Sequence, residues 1–142
     1  RCVPQWRFFI PPAASVKQQN TSQEIKVNNP DLDTVILVTR NGMGEAEPAL
    51  QQKLITTYFK LLVENNIHPA VICFYTEGVK LAVAGSPVLD SLKALEAKGT
   101  RLVLCSTCLD YYGLADQVQV GIVGGMTDII EAQRLAGKVV SI

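Results

Sequence analysis

The sequence is short of the residues that most catalytic and electrostatic arguments need. One histidine, His68, occurs in 142 residues, directly before Pro69. It offers no good Ser-His or Cys-His pair, which argues against hydrolysis. With 13 basic and 13 acidic residues the formal net charge is zero. Neither a nucleic-acid binder driven by counterion release nor a binder of anionic membranes is indicated. No apolar run reaches the ~20 residues that span a bilayer. The Lys and Ser/Thr of a P-loop are missing, as is G-x-G-x-x-G. Structural zinc asks for about four ligands of the right kinds. One Cys-x-x-Cys and a single histidine do not supply them, so neither metal nor cofactor is expected.

What is present is core. The chain is 48% apolar, and a domain of this size buries roughly two-thirds of the surface its unfolded chain exposes. Such a core needs no disulfides. Four cysteines with one Cys-x-x-Cys therefore point to a reactive or metal-binding pair in a reducing compartment, the cytoplasm. The chain begins at Arg1, as expected of a processed or trimmed product or part of a longer one. Trp6 to Ala14 is broken by Arg7, Pro11 and Pro12 and matches a signal peptide poorly.

Residues 1–30 differ from the rest and read as an amino-terminal arm or linker. Ala13 to Pro30 is polar and aperiodic. Arg1 to Ile10 carries Trp6, Phe8 and Phe9, either docked on its own domain or a partner subunit, or left from a preceding domain. Residues 31–142 form the domain proper, in which strand and helix patterns alternate. Thr34 to Thr39 is a continuous apolar run, as in a strand covered on both faces. A helix starts near Pro48, with Leu50, Leu54, Ile55, Tyr58, Leu61 and Leu62 as its apolar stripe. Ala70 to Tyr75 is a second strand, and Gly78 to Ala84 one or two helical turns. Ser86 caps a helix with Pro87 first, Leu89, Leu92 and Leu95 inward and Gly99 at its end. Arg101 to Cys105 and Gln117 to Val123 are further strands. Thr127 caps a last helix that buries Ile129, Ile130 and Leu135, and Lys138 to Ile142 closes the sheet. The expected fold is α/β, three layers around a mostly parallel sheet of about five strands.

In an open parallel sheet, ligands bind beyond the carboxyl ends of the strands. Chain direction puts Arg40 to Glu47, Thr76 to Lys80, Cys105 to Cys108 and Gly124 to Thr127 on that edge. His68 and Gly99-Thr100 fall on the other. Cys105 ends a strand where a helix begins, and unpaired backbone N–H groups there favour a thiolate. Cys105 is thus the expected working thiol, and Cys108, one helical turn on, is either a resolving thiol or inward packing. Cys73, mid-strand, is read as core. Asn41-Gly42-Met43-Gly44 is a tight turn or a weak anion nest. Glu77-Gly78-Val79-Lys80 brings a hinge and a cation near Cys105. Thr107 lies inside the cysteine motif, and Tyr111 and Tyr112 cover the cysteine or form a subunit contact. On these residues alone, redox, persulfide and purely structural roles all stay open.

The segment Cys105-Ser106-Thr107-Cys108-Leu109-Asp110-Tyr111-Tyr112-Gly113-Leu114 resembles the DsrE/DsrF-like family of sulfur-relay proteins. With Gly42-Met43-Gly44 and Glu77-Gly78-Val79-Lys80-Leu81, it is most similar to the sulfurtransferase-like selenium-metabolism subgroup. The resemblance runs from about Asp33 to Ile142. It implies a three-layer α/β/α domain and a persulfide carried at Cys105 and passed between protein thiols. Sulfur donor and acceptor proteins, some of them TusA-like, would be its partners, and a homo-oligomer its state. Two-domain members of the subgroup carry an amino-terminal TusA-like domain with Cys-Pro-x-Pro; Cys2-Val3-Pro4 departs from that motif. A thiol–disulfide module using Cys105 and Cys108 and a non-catalytic oligomeric binding domain are the alternatives.

Overall fold

The computed structural model describes residues 33–142. The expectations for residues 1–30, Cys2 and the aromatic segment among them, lie outside the described residues. Five strands form one all-parallel sheet: β1 (Thr34–Val38), β2 (Val71–Phe74), β3 (Arg101–Cys105), β4 (Ile122–Gly124) and β5 (Lys138–Ser141). Their spatial order is β4-β3-β2-β1-β5. Four α-helices accompany them: α1 (Pro48–Glu64), α2 (Leu89–Ala97), α3 (Ser106–Tyr112) and α4 (Met126–Leu135). A 3-10 segment, Thr76–Ala82, leaves β2. This is the expected three-layer arrangement.

The strand order explains the layers. From β1 to β4 the chain steps across the sheet in one direction, and it then jumps back to place β5 beside β1. Right-handed crossovers running the same way leave their helices on one face, and a reversed step puts the next helix on the other. On the first face, Ile36, Val38, Ile72, Phe74, Leu102 and Leu104 pack with Ile55, Phe59, Leu92 and Leu95 of α1 and α2. On the second, Val35, Leu37, Val71, Cys73, Val103 and Cys105 meet only Ile129 and Ala132 of α4 within the cluster. Side chains alternate between faces along a strand, which sends both Cys73 and Cys105 to the second.

Several local expectations are corrected. Pro48 does open α1, and Ile55 and Leu62 of the expected stripe are buried, together with Phe59, which the stripe omitted. Leu50, Leu54 and Leu61 stand 44–48% exposed. Two apolar stripes lie side by side on this helix, and the one carrying the large Phe59 faces the sheet. The helix ends at Glu64, and two residues on Asn66, with a positive φ of 56°, turns the chain in a left-handed conformation. Ser86 accepts from the Val88 N–H at 3.2 Å, which starts α2 at Leu89 and leaves Pro87 outside it.

Strand β4 is much shorter than Gln117 to Val123. Val118 is diverted into an antiparallel bridge with Val83. Gly121, at φ +86°, then turns the chain where a Cβ would lie 2.7 Å from Leu104 Cδ1. Helix α4 is capped by Asp128, which accepts from the Gly125 N–H at 2.9 Å, and not by Thr127. Ile129 and Ala132 face inward, whereas Ile130 and Leu135 are exposed. The small Ala132 lets the backbone of α4 approach the sheet, so the helix needs fewer large inward residues.

Candidate functional site

The carboxyl edge of the sheet gathers the loops named above, and each is pinned by its own sequence. After β1, Met43 N–H donates to the Gln51 carbonyl at 3.0 Å. Gln51 Nε2 reaches the Gly44 carbonyl at 2.6 Å. Gln52 Nε2 donates to both the backbone oxygen (2.6 Å) and the side-chain oxygen (3.1 Å) of Asn41. A Cβ at Gly42 would lie 2.5 Å from Gln51 Cβ. Residues 41–44 are therefore a tight turn stapled to α1, with the Met43 N–H already engaged.

After β2, Gly78 lies so close to the end of β1 that a Cβ would run into the Val38 carbonyl. The Tyr75 N–H donates to that same oxygen at 3.1 Å. Between them stands Thr76, with φ +50°. A β-branched residue in this region is an outlier that costs about 1–3 kcal/mol and persists only where its surroundings impose it. Its hydroxyl lies 2.6 Å from the carbonyl oxygens of Thr39 and Tyr75 and donates to one at a time. The twist turns its N–H onto Cys108 Sγ at 3.0 Å.

The two thiols of the motif differ. Cys105 ends β3 and is 2% exposed. It also stands at the cap position of α3, but its side chain makes no cap hydrogen bond. The start of α3 therefore makes no direct hydrogen bond to the Cys105 side chain. Cys108 is half-buried, touches the cores of both sheet faces, and carries the backbone donor. Burial pushes the Cys108 thiol up; the Thr76 N–H pulls it down, and the adjacent Cys105 thiol pushes it up again. Cys73, Cys105 and Cys108 are all free thiols. Cys73 is fully buried mid-strand, where burial raises it to about 11 against a smaller lowering by Arg101.

The remaining expected site residues surround Cys108 unevenly. Lys80 Nζ sits 4.4 Å over the Tyr112 ring. Tyr112 meets Tyr111 edge-on, with centroids 5.2 Å apart, and Tyr111 itself is 82% exposed. Loss of hydration raises the Tyr112 hydroxyl, with Glu77, Tyr111 and Cys108 adding to the rise. Glu77 and Thr107 are exposed. His68 lies before β2, away from this edge. Among the described residues, no three of His, Cys, Asp and Glu are grouped so as to hold a metal ion. None of the described helices is long and apolar enough to cross a membrane. Sequence reasoning missed Thr76 and its anchor Thr39. Their only signal was position, Thr39 just after β1 and Thr76 just after β2, because a strained φ leaves no mark on residue type.

The model of the DsrE/DsrF-like family matches residues 32–142. The chain belongs to that family. Solved structures of three proteins share the family chain's fold. The ychN protein of E. coli is 17% identical, with a TM-score of 0.56 over 78% of this chain and 99% of its own. MTH1491 of Methanobacterium thermoautotrophicum, of unknown function, is 17% identical, with a TM-score of 0.56 over 77% and 97%. BT1422 of Bacteroides thetaiotaomicron, also of unknown function, is 16% identical, with a TM-score of 0.56 over 87% and 100%. At such identities the likeness concerns the fold alone. No curated protein sequence matches.

Proposed function

We propose that this DsrE-like chain is a sulfur carrier that holds a persulfide on its Cys105–Cys108 pair and passes it between thiols. The observation that carries this reading is the Thr76 N–H on Cys108 Sγ, set by a strained backbone at the carboxyl edge of the sheet. Such a donor stabilises a sulfur anion, either the attacking thiolate or the persulfide it becomes. Cys108 is the more exposed thiol, so in this proposal it meets the partner, and Cys105 stands behind it. That exchanges the roles that the sequence suggested. Thiolate Cys108–S⁻ attacks the outer sulfur of a donor R–S–SH, R–S⁻ leaves, and Cys108–S–SH forms. An acceptor thiolate then takes the outer sulfur, and Cys108–S⁻ returns. If Cys105 attacks the Cys108 sulfur instead, a disulfide forms and HS⁻ is released.

The proposal includes donor and acceptor proteins, a TusA-like carrier among them, together with self-association and a cytoplasmic site of action. Ile122, Val123, Met126 and Ile130, exposed around the edge strand β4, offer an apolar surface for self-association. The selenium connection rests on the resemblance of the cysteine segment. Incubation with a persulfide donor followed by intact mass measurement is the test. A gain of one sulfur in wild type and Cys105→Ser, lost in Cys108→Ser, is expected. No gain in any form would sink the proposal. The second reading, a thiol–disulfide module, is favoured by the adjacency of the two thiols. It requires a Cys105–Cys108 disulfide under mild oxidation and no sulfur uptake.

A further inference from the structure

A cavity of about 460 Å³ is bounded by Asn41, Gln52, Lys80, Ser86, Tyr112 and Gln117 among others, with neither cysteine in its lining. That is within the range of small-molecule sites, roughly 300–1,000 Å³. Its wall continues the thiol site. Tyr112 follows Cys108 by one helical turn, or roughly 6 Å along the axis, and Cys108 affects the titration of its hydroxyl. Lys80 lies in the last turn of the same 3-10 segment that Thr76 opens.

The chemistry of the lining is one-sided. Lys80 is the one charged side chain lining it. Among the described residues it has no carboxylate within ion-pair distance, and its ammonium rests on an aromatic face instead. Gln52 Nε2 must face the Asn41 backbone carbonyl, so it also fixes the Asn41 side-chain oxygen towards itself. The Asn41 amide nitrogen is left pointing elsewhere, with no partner among the described residues. Ser86 uses its oxygen as an acceptor from Val88 and keeps its proton to donate. A cation and two neutral donors, with no acid in the lining itself and Glu77 bearing on Tyr112 from outside it, suit an acceptor-rich anion.

We propose that this cavity holds the carboxylate-bearing part of a small thiol carrier, so that low-molecular-weight persulfides load Cys108 directly. The inference rests on the sulfur-carrier reading and names a substrate class for the same site. The step is the one above, with R–S⁻ as the released small thiolate: the Cys108 S–S bond forms as the S–S bond of the small persulfide breaks.

Glutathione persulfide serves as the probe, and hydroxyethyl persulfide, which has the same reacting group but no carboxylate, as the control. Loading of the whole chain is followed by intact mass against donor concentration. Wild type is expected to load from glutathione persulfide with saturation, and S-methylglutathione to compete. Lys80→Met and Asn41→Asp should each raise the half-saturating concentration roughly tenfold, the worth of one charge-assisted contact. Lys80→Arg should largely restore it. The rise with glutathione persulfide should exceed any rise with hydroxyethyl persulfide by about fivefold or more. Equal half-saturation in wild type and both variants, or no competition by S-methylglutathione, overturns the inference. Loading from hydroxyethyl persulfide with none from glutathione persulfide overturns it too, while the carrier reading stands. If neither donor loads Cys108, the inference falls, and the carrier reading falls with it if a protein persulfide donor also adds no sulfur.

Discussion

The two faces of the sheet are built from different materials. The first is deep: Phe59, Phe74, Ile55, Ile72, Leu92, Leu95, Leu102 and Leu104 are all fully buried there beneath α1 and α2. The second is thin, with valines, Ala132, Ile129 and the thiols Cys73 and Cys105 in its cluster. Large branched and aromatic side chains supply most of the burial free energy of a core. Small side chains let α4 lie close. The difference suggests a division of labour in which one face holds the fold and the other brings sulfur to the edge where the chain turns.

The largest test of this contrast is Phe59→Ala on the deep face. It should cost about 3–5 kcal/mol, the usual price of emptying an aromatic site, read as a lowered urea midpoint at constant slope. A smaller loss would mean the deep face is not the main source of stability.

On the thin face the corresponding probe is pH. Cys73 rises to about 11 on burial, so the folded chain keeps its proton while an unfolded chain loses it near 9. Stability from this group is whole below pH 9 and declines as pH climbs towards 11, by about 2–3 kcal/mol in all. Thermal unfolding across that window should show the decline, and Cys73→Ala should flatten it. An unchanged slope in Cys73→Ala would assign the loss to other groups.

Thr76→Gly removes the strained φ together with the hydroxyl anchor, and these offset to within about 1 kcal/mol of stability. The N–H is then held less firmly on Cys108, and the pH at which that thiol becomes reactive should move further up. Alkylation rate at Cys108 against pH is the measurement; an unmoved profile would make the contact incidental. The smallest effect belongs to Leu54→Gln on the exposed stripe of α1, expected within about 0.5 kcal/mol of wild type. A larger loss would restore the helix face that the sequence favoured.

Much of the frame was legible. The run Thr34 to Thr39, the helix opening at Pro48 and the strand Arg101 to Cys105 all follow from periodicity and turn residues. Parallel strands then sorted the loops, and Cys105, Cys108, Gly78, Lys80 and Tyr112 do meet at one edge. What failed was choice among equals. The stripe expected on α1 mixed the buried Ile55 and Leu62 with the exposed Leu50, Leu54 and Leu61, and only the sheet separates them. β4 was overextended because Val118 and Val120 look like strand, while their backbone is diverted by the contact with Val83. At the site, burial separated two cysteines that the motif treats alike. The twist at Thr76, a product of close packing between Gly78 and the end of β1, has no counterpart in residue type.

The position of β5 bears on how the chain assembles. Thr34 of β1 lies against Lys138 of β5, so a pairing between the earliest and latest described strands spans roughly a hundred positions, the kind of distant contact that slows folding. Until residues 138–141 arrive, β1 presents one open flank to any strand nearby. The cysteine edge, by contrast, draws only on the ends of β1, β2 and β3 and on α3, which follows β3 directly. Maturation of the site and closure of the sheet are thus separable events, and removal of Lys138–Ser141 should trade solubility long before it alters the surroundings of Cys108.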